Sequence, residues 1–283
     1  MPAATLLKDG ALRVYDYRCR AGPADRPFAE AHGSYSVSYV RRGSFGYRTR
    51  GHAYELVPGS FMVGRPGDEF TCSHEHHAHG DECLSYHFDE GLLDALGLPC
   101  RAWASGALPV LPRLALLGER AQAAAEGGSD LGLDEAGTLL AAAVLQGDLQ
   151  PFSAALRVTA RDRRRAVRVA LWLEAHCGEP IHLQRVARES GVSAFHFLRL
   201  FARVTGVTPH QYLVRARLRQ AARLLAQGSG PIGAIAYEVG FGDLSNFVRT
   251  FGRAAGVSPR AFRRASQQHR KILQDRLGVP AVG

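Results

Sequence analysis

One stretch of this chain says the same thing twice, and that duplication limits what the chain folds into. The first copy runs Val186-Ala187, Gly191-Val192-Ser193, Phe197 to Arg203, Gly206-Val207-Thr208-Pro209 and Tyr212. The second runs Ile235-Ala236, Gly240-Phe241, Phe247 to Arg253, Gly256-Val257-Ser258-Pro259 and Phe262. The offset is 49 residues at Ala187/Ala236 and 50 at Phe201/Phe251, so the second copy has one extra residue in its turn. Two divergent copies of a short unit in a basic segment point to paired helical modules.

Each copy reads as a helix, a tight turn and a second helix. In the first, Leu183, Val186 and Ala187 fall at i, i+3, i+4, one face of a short helix. Gly191 follows, where a left-handed turn favours a residue without Cβ, and Ser193 is placed to cap the next helix. Phe197, Leu200, Phe201 and Val204 recur with helical spacing and are expected inside, which turns Phe195, Leu198, Arg199 and Ala202 outward. In the second copy Gly240 makes the turn and Asp243 the cap. Phe247, Phe251 and Ala254 face in; Ser245, Asn246, Val248, Arg249 and Gly252 face out. A helix-turn-helix has this shape, and its second helix fits a major groove.

Charge supports that reading. Residues 1–150 hold 13 Lys and Arg against 19 Asp and Glu, a balance of −6. Residues 151–283 hold 22 against 7, a balance of +15. The basic half is the half with the duplication, as expected of a segment attracted to phosphate. A membrane surface would draw the same charge, but no amphipathic stretch with a Trp/Phe/Leu face accompanies it. A pair of ordinary helical hairpins without a ligand is the bland alternative. Arg199 and Arg249 at matching outward positions weigh against it, because the guanidinium fork matches guanine O6 and N7.

The segment resembles the DNA-binding domain of AraC/XylS-type transcription regulators. The carrying residues are Ala187-x3-Gly191, Phe197-x-Arg199-x-Phe201, Gly206-Val207-Thr208-Pro209-x2-Tyr212, Ile232-x2-Ile235-Ala236-x3-Gly240-Phe241 and Gly256-Val257-Ser258-Pro259-x2-Phe262. The resemblance implies base contacts from Phe195, Leu198 and Arg199 of one unit and Leu244, Ser245, Val248 and Arg249 of the other. Phe195 and Leu198 are apolar where the family often has a polar residue or Trp, which suits thymine methyls. It also implies double-stranded promoter DNA and RNA polymerase as partners, and a homodimer.

The remainder is read in order. In residues 1–100 Tyr35, Val37 and Tyr39 alternate with Ser34, Ser36 and Ser38, a strand with one face buried. Leu84, Tyr86 and Phe88 alternate likewise, and Gly43 to Gly46, Pro58-Gly59 and Pro66-Gly67 mark turns. Short strands with such turns predict a small antiparallel barrel or sandwich. The turn pattern is similar to the cupin-type sensor half of AraC-type regulators. Residues 101–154 are Ala/Leu-rich helical stretches; the resemblance makes them dimerisation helices, and a cap on the barrel is the other reading. Residues 150–160 are the candidate linker, 155–266 the double helix-turn-helix domain and 267–283 a tail. The expected fold is α+β in two domains: a cupin-like β-barrel, then an all-α part with two helix-turn-helix units. A helix from Pro209 to Gln227 joins the units. At 1.5 Å per residue it is about 28 Å long, a reach suited to successive major grooves about 34 Å apart. Its Arg215, Arg217, Arg219 and Arg223 meet phosphates or form a solvated basic face.

The second informative stretch runs from Cys72 to Cys83 and includes His74, His76, His77, His79 and Glu82. Imidazole, carboxylate and thiolate together suit Zn, Ni, Fe or Cu. His74-x-His76 with Glu82 resembles the ligand set of metal-binding cupins. A solvated His-rich loop and a Cys72/Cys83 redox pair are the competing readings. No apolar leader follows Met1, no apolar run is long enough to span a bilayer, and five scattered cysteines suit a reduced compartment. The expectation is a cytoplasmic regulator, not an enzyme, that senses a small molecule or metal. Its rival is a cupin-type metal-dependent enzyme with a basic appendage.

Overall fold

The computed structural model describes residues 3–75, 80–98, 100, 103–129, 131–146, 158–182, 185–186, 191–228 and 230–266. The first part forms two antiparallel sheets. The larger is ordered β1-β2-β9-β4-β7-β10, from β1 (Ala3–Lys8), β2 (Leu12–Cys19), β9 (Asp81–Phe88), β4 (Tyr35–Gly43), β7 (Phe61–Gly64) and β10 (Gly106–Leu108). The smaller is β3-β8-β5-β6, from β3 (Phe28–Ala31), β8 (Glu69–Ser73), β5 (Phe45–Thr49) and β6 (His52–Leu56). The expected turns are present, with Gly43, Gly59 and Gly67 all at positive φ.

Alternation along the strands gives the large sheet two different faces. Val37 and Tyr39 of β4, Leu84, Tyr86 and Phe88 of β9 and Val14 of β2 join one apolar core. That core is closed by α1 (Glu90–Ala95), α2 (Pro112–Ala125) and α3 (Leu133–Gln146), which contribute Leu93, Leu114, Ala121, Ala136 and Leu140. Strand β4 was expected to be buried on one face. It is buried on both: Ser36 and Ser38 are each 2% exposed, because the small sheet covers that side and the serines line a cavity between the sheets.

The second part is helical: α4 (Ala160–Ala175), α5 (Ala194–Thr205), α6 (Pro209–Gln227), α7 (Ile232–Glu238) and α8 (Leu244–Ala255). Helix α6 has the predicted bounds. Pro209 opens it, Thr208 and Gln211 close a reciprocal capping box, and Gly228 ends it in the left-handed region. The helices build two cores. One joins Val167, Ala170 and Leu173 of α4 to Phe197, Phe201 and Tyr212, and the other joins Leu218, Ala221 and Leu225 to Phe247, Phe251 and Phe262.

Helix α2 ties the two parts together. Leu114 and Ala121 point to the sheet, Ala115 enters the first helical core and Leu116 the second. Most of the 150–160 linker and all of the 267–283 tail lie outside the described residues. No described helix is long and apolar enough to cross a membrane.

Candidate nucleic-acid interface and interior cavity

Helices α5 and α8 are built alike. Ser193 accepts from the His196 N–H at 3.4 Å, and Asp243 accepts from the N–H groups of Ser245 and Asn246 at 3.1 and 2.7 Å. Gly191 and Gly240, in the turns ahead of them, have φ of 67° and 90°, which only glycine adopts cheaply. Each helix ends on a left-handed glycine, Gly206 or Gly256. Phe197, Phe201, Phe247 and Phe251 are fully buried, and edge-on ring pairs link Phe247 to Phe241 and Phe251 to Phe262. The aromatic stripe therefore fixes which side of each helix stays out.

The outward side carries the expected residues. Phe195 is 71% exposed, Leu244 and Val248 are 39% exposed, and Arg199, Ser245 and Arg249 are exposed. Leu198 is half-buried. The Arg199 guanidinium lies 5.9 Å from the Phe195 ring centre, one helical turn away, and the stacking orders a long side chain. Arg249 donates from Nη2 to Asn246 Oδ1 at 3.2 Å. Asn246 joins that ridge as a group suited to adenine, although it was absent from the expected base contacts. Its i, i+3 spacing from Arg249 was the available signal. Of the first helix in the first copy, only Arg185 and Val186 are described; Ala187 lies outside the described residues.

The arginines of α6 are neither phosphate ligands nor a solvated face. Arg219 is fully buried, and its Nη2 donates to Glu174 Oε2 of α4 while Nε lies 4.0 Å from Glu119 Oε1 of α2. Arg223 reaches Glu119 Oε2 and Glu174 Oε1, both at 3.2 Å. Tyr39 of the large sheet donates to Glu119 Oε1 at 2.7 Å. Arg217 donates to the carbonyls of Cys177 and Glu179, and Arg215 to that of Val110. Burial raises the Glu119 carboxyl above the usual range, while Arg223 pulls it the other way. Gly59 completes the fit, since a Cβ there would come 2.4 Å from Arg219 Nη1. The four arginines, read as phosphate contacts or a solvated basic face, are instead held within the fold: Arg219 and Arg223 by carboxylates of α2 and α4, Arg215 and Arg217 by the carbonyls of Val110, Cys177 and Glu179.

Between the sheets lies a cavity of about 570 Å³. One end carries a chain of hydroxyl and imidazole groups. Ser34 Oγ is 2.8 Å from His87 Nδ1, His87 Nε2 is 2.9 Å from Ser85 Oγ, and Ser85 Oγ is 2.7 Å from Ser38 Oγ. His32 Nε2 lies 2.9 Å from the Tyr47 hydroxyl, with its ring stacked on Phe70. Burial lowers His32 and His87 to about 4, and Arg13 and His32 push His87 the same way. A folded value below the unfolded one of about 6.5 means stability is fully present above that pH and is lost as pH falls toward about 4. The melting temperature is expected to drop through that window, and less so in a His32→Gln/His87→Gln variant. Identical pH profiles for the two proteins would contradict this role of the imidazoles.

The other end carries Cys19, His74 and Asp81. Cys19 Sγ is 3.6 Å from His74 Nε2, which is 2.9 Å from Asp81 Oδ2. Cys72 and Cys83 also line the cavity, and the Cys83 thiol donates to Asp81 Oδ1 at 3.6 Å. Both are free thiols, not a bonded pair, and burial raises the pKa of each. Of the expected metal ligands, His74 alone is here among the described residues. His76 lies outside the described residues. Glu82 accepts from Arg41 Nε at 2.9 Å, because on a strand the residue after Asp81 points to the opposite face.

A model described as a helix-turn-helix domain matches residues 186–265. The HTH-type transcriptional activator RhaS of Salmonella schwarzengrund (strain CVM19633) is 38% identical over 92 residues, 32% of this chain and 33% of that protein. The transcriptional regulator Rob of Salmonella typhimurium is 34% identical over 97 residues, 34% of each chain. The chain thus spans about a third of the length of the curated relatives it matches. Among solved structures, the DNA-binding domain of AdpA in complex with a target DNA is 30% identical, covering 38% of this chain and 96% of that one, with a TM-score of 0.36. Residues 186–265 thus form a helix-turn-helix domain of the AraC type, similar to those of RhaS and Rob.

Proposed function

We propose that this protein is a sequence-specific DNA-binding transcription regulator. The observation that carries the reading is an AraC-type domain in which both capped helices, α5 and α8, bury their aromatic stripe and leave an arginine outward. In this reading residues 155–266 hold two helix-turn-helix units, with base contacts from Phe195, Leu198, Arg199, Leu244, Ser245, Val248 and Arg249. The two-sheet part is a cupin-like sensor whose cavity accepts a small molecule or a metal. The chain works as a homodimer alongside RNA polymerase. Regulation is linkage: an effector that prefers one arrangement of the two parts shifts how the domain is presented to DNA. The buried Tyr39–Glu119–Arg219–Glu174 network supports such coupling, since it runs from the sheet into the helical core.

The test is selection of duplexes by the full-length chain from a random DNA pool. An enriched motif is expected, bound with an affinity that falls steeply as salt rises. Binding without sequence preference, or without salt dependence, would sink the reading.

A further inference from the structure

We propose that Cys19, His74 and Asp81 form a site for one divalent transition-metal ion of the zinc class, in the wall of the cavity between the sheets. The proposal deepens the sensor reading and rests on it only for its consequence at DNA.

Three kinds of ligand atom meet here from distant parts of the chain. Cys19 ends β2, His74 follows β8 and Asp81 opens β9. Their donor atoms all lie within 4.8 Å of one another. A tetrahedral zinc ion with Zn–S of about 2.3 Å and Zn–N of about 2.05 Å places sulfur and nitrogen about 3.5 Å apart. The observed Sγ–Nε2 distance is 3.6 Å, already that edge of the tetrahedron. The corresponding nitrogen–oxygen edge is about 3.3 Å. The observed 2.9 Å is a hydrogen bond that would open by a few tenths of an ångström.

The charge pattern also favours a cation. The His74 and Asp81 side chains are each only 9% exposed. Among the described residues, the Asp81 carboxylate meets His74 and the Cys83 thiol, and no Lys or Arg. A carboxylate this sheltered needs positive charge nearby. On the neighbouring strand β4, Arg41 is occupied by Asp16 and Glu82. Outer groups suited to orienting ligands are present: Cys83 holds the second Asp81 oxygen, and the Phe45 ring lies 6.4 Å from the His74 ring. Three protein ligands leave a fourth position toward the cavity, the pattern of an open site. Thiolate with imidazole and carboxylate suits Zn and Co, and disfavours Mg and Ca.

Cobalt(II) is the probe, titrated into the reduced full-length chain. One equivalent should bind with a thiolate-to-cobalt charge-transfer band in the near ultraviolet, release of about one thiol proton, and displacement by zinc. Cys19→Ser should abolish the band and weaken binding at least tenfold. Asp81→Asn should weaken binding while keeping the band. Melting curves without metal check that both variants fold, and if one does not, the other decides. No band in the wild-type chain overturns the site, as does an unchanged band in Cys19→Ser. So does loss of binding in a His76→Ala/His77→Ala/His79→Ala variant while Cys19→Ser still binds. Gel shifts on the same preparations separate the two readings. A missing band with specific DNA binding intact removes only the metal site; a normal band without specific DNA binding removes the regulator.

Discussion

Replacing Arg219 with alanine is expected to cost about 3–5 kcal/mol of stability, because it leaves Glu119 and Glu174 facing each other inside the protein. Both carboxylates then lose their buried cation, and Arg223, itself a third exposed, remains as the pair's one cationic partner among the described residues. The loss is a large share of an ordinary stability of roughly 5–15 kcal/mol. Arg219→Lys should recover little, since one ammonium cannot replace a planar fork that spans two carboxylates and lies 5.7 Å from the Tyr212 ring. Combining Arg219→Met and Arg223→Met with Glu119→Gln and Glu174→Gln should recover much of it, because the whole ionic group is then neutral. Denaturant melts of the three variants give the comparison. An alanine variant within about 1 kcal/mol of wild type would show the network to be dispensable.

Those ion pairs were also the part of the fold hardest to read in advance. The bounds of α6 are written locally, in Thr208, Pro209, Gln211 and Gly228. The inward stripes of α5 and α8 are written locally too, as phenylalanines at helical spacing. By contrast, Arg219 meets Glu119 and Glu174 from elements 100 and 45 residues away, and nothing in the spacing of four arginines names a partner. The serines of β4 misled for a related reason. Period-two alternation reports two unlike faces, but solvent and a polar cavity look the same from one strand. The choice between Asp81 and Glu82 turned on the register of β9, where a shift of one residue exchanges the faces. Cys19 enters the same cluster only because β2 pairs with β9 along its whole length, ending on Cys19 opposite Asp81.

Loss of both outward arginines should weaken binding to the selected duplex far more than binding to random DNA. Arg199→Ala and Arg249→Ala are each expected to cost about 1–3 kcal/mol on the specific site. Their neighbours, Phe195 and Asn246, are not shared, so the double variant should approach the sum of the two. Stability should barely change, because both side chains are exposed and the buried stripes are untouched. Arg217→Ala is the contrasting substitution: its guanidinium bonds Cys177 and Glu179 carbonyls, so it should lower the melting temperature and leave discrimination between duplexes alone. A charge that only attracts phosphate lowers affinity for every sequence alike and reduces the salt dependence. A charge that reads a base lowers the ratio of specific to random binding. Competition gel shifts at two salt concentrations measure both quantities. If the double variant loses affinity for both duplexes by the same factor, Arg199 and Arg249 position the domain on the backbone, and the readout belongs to other residues of the ridge.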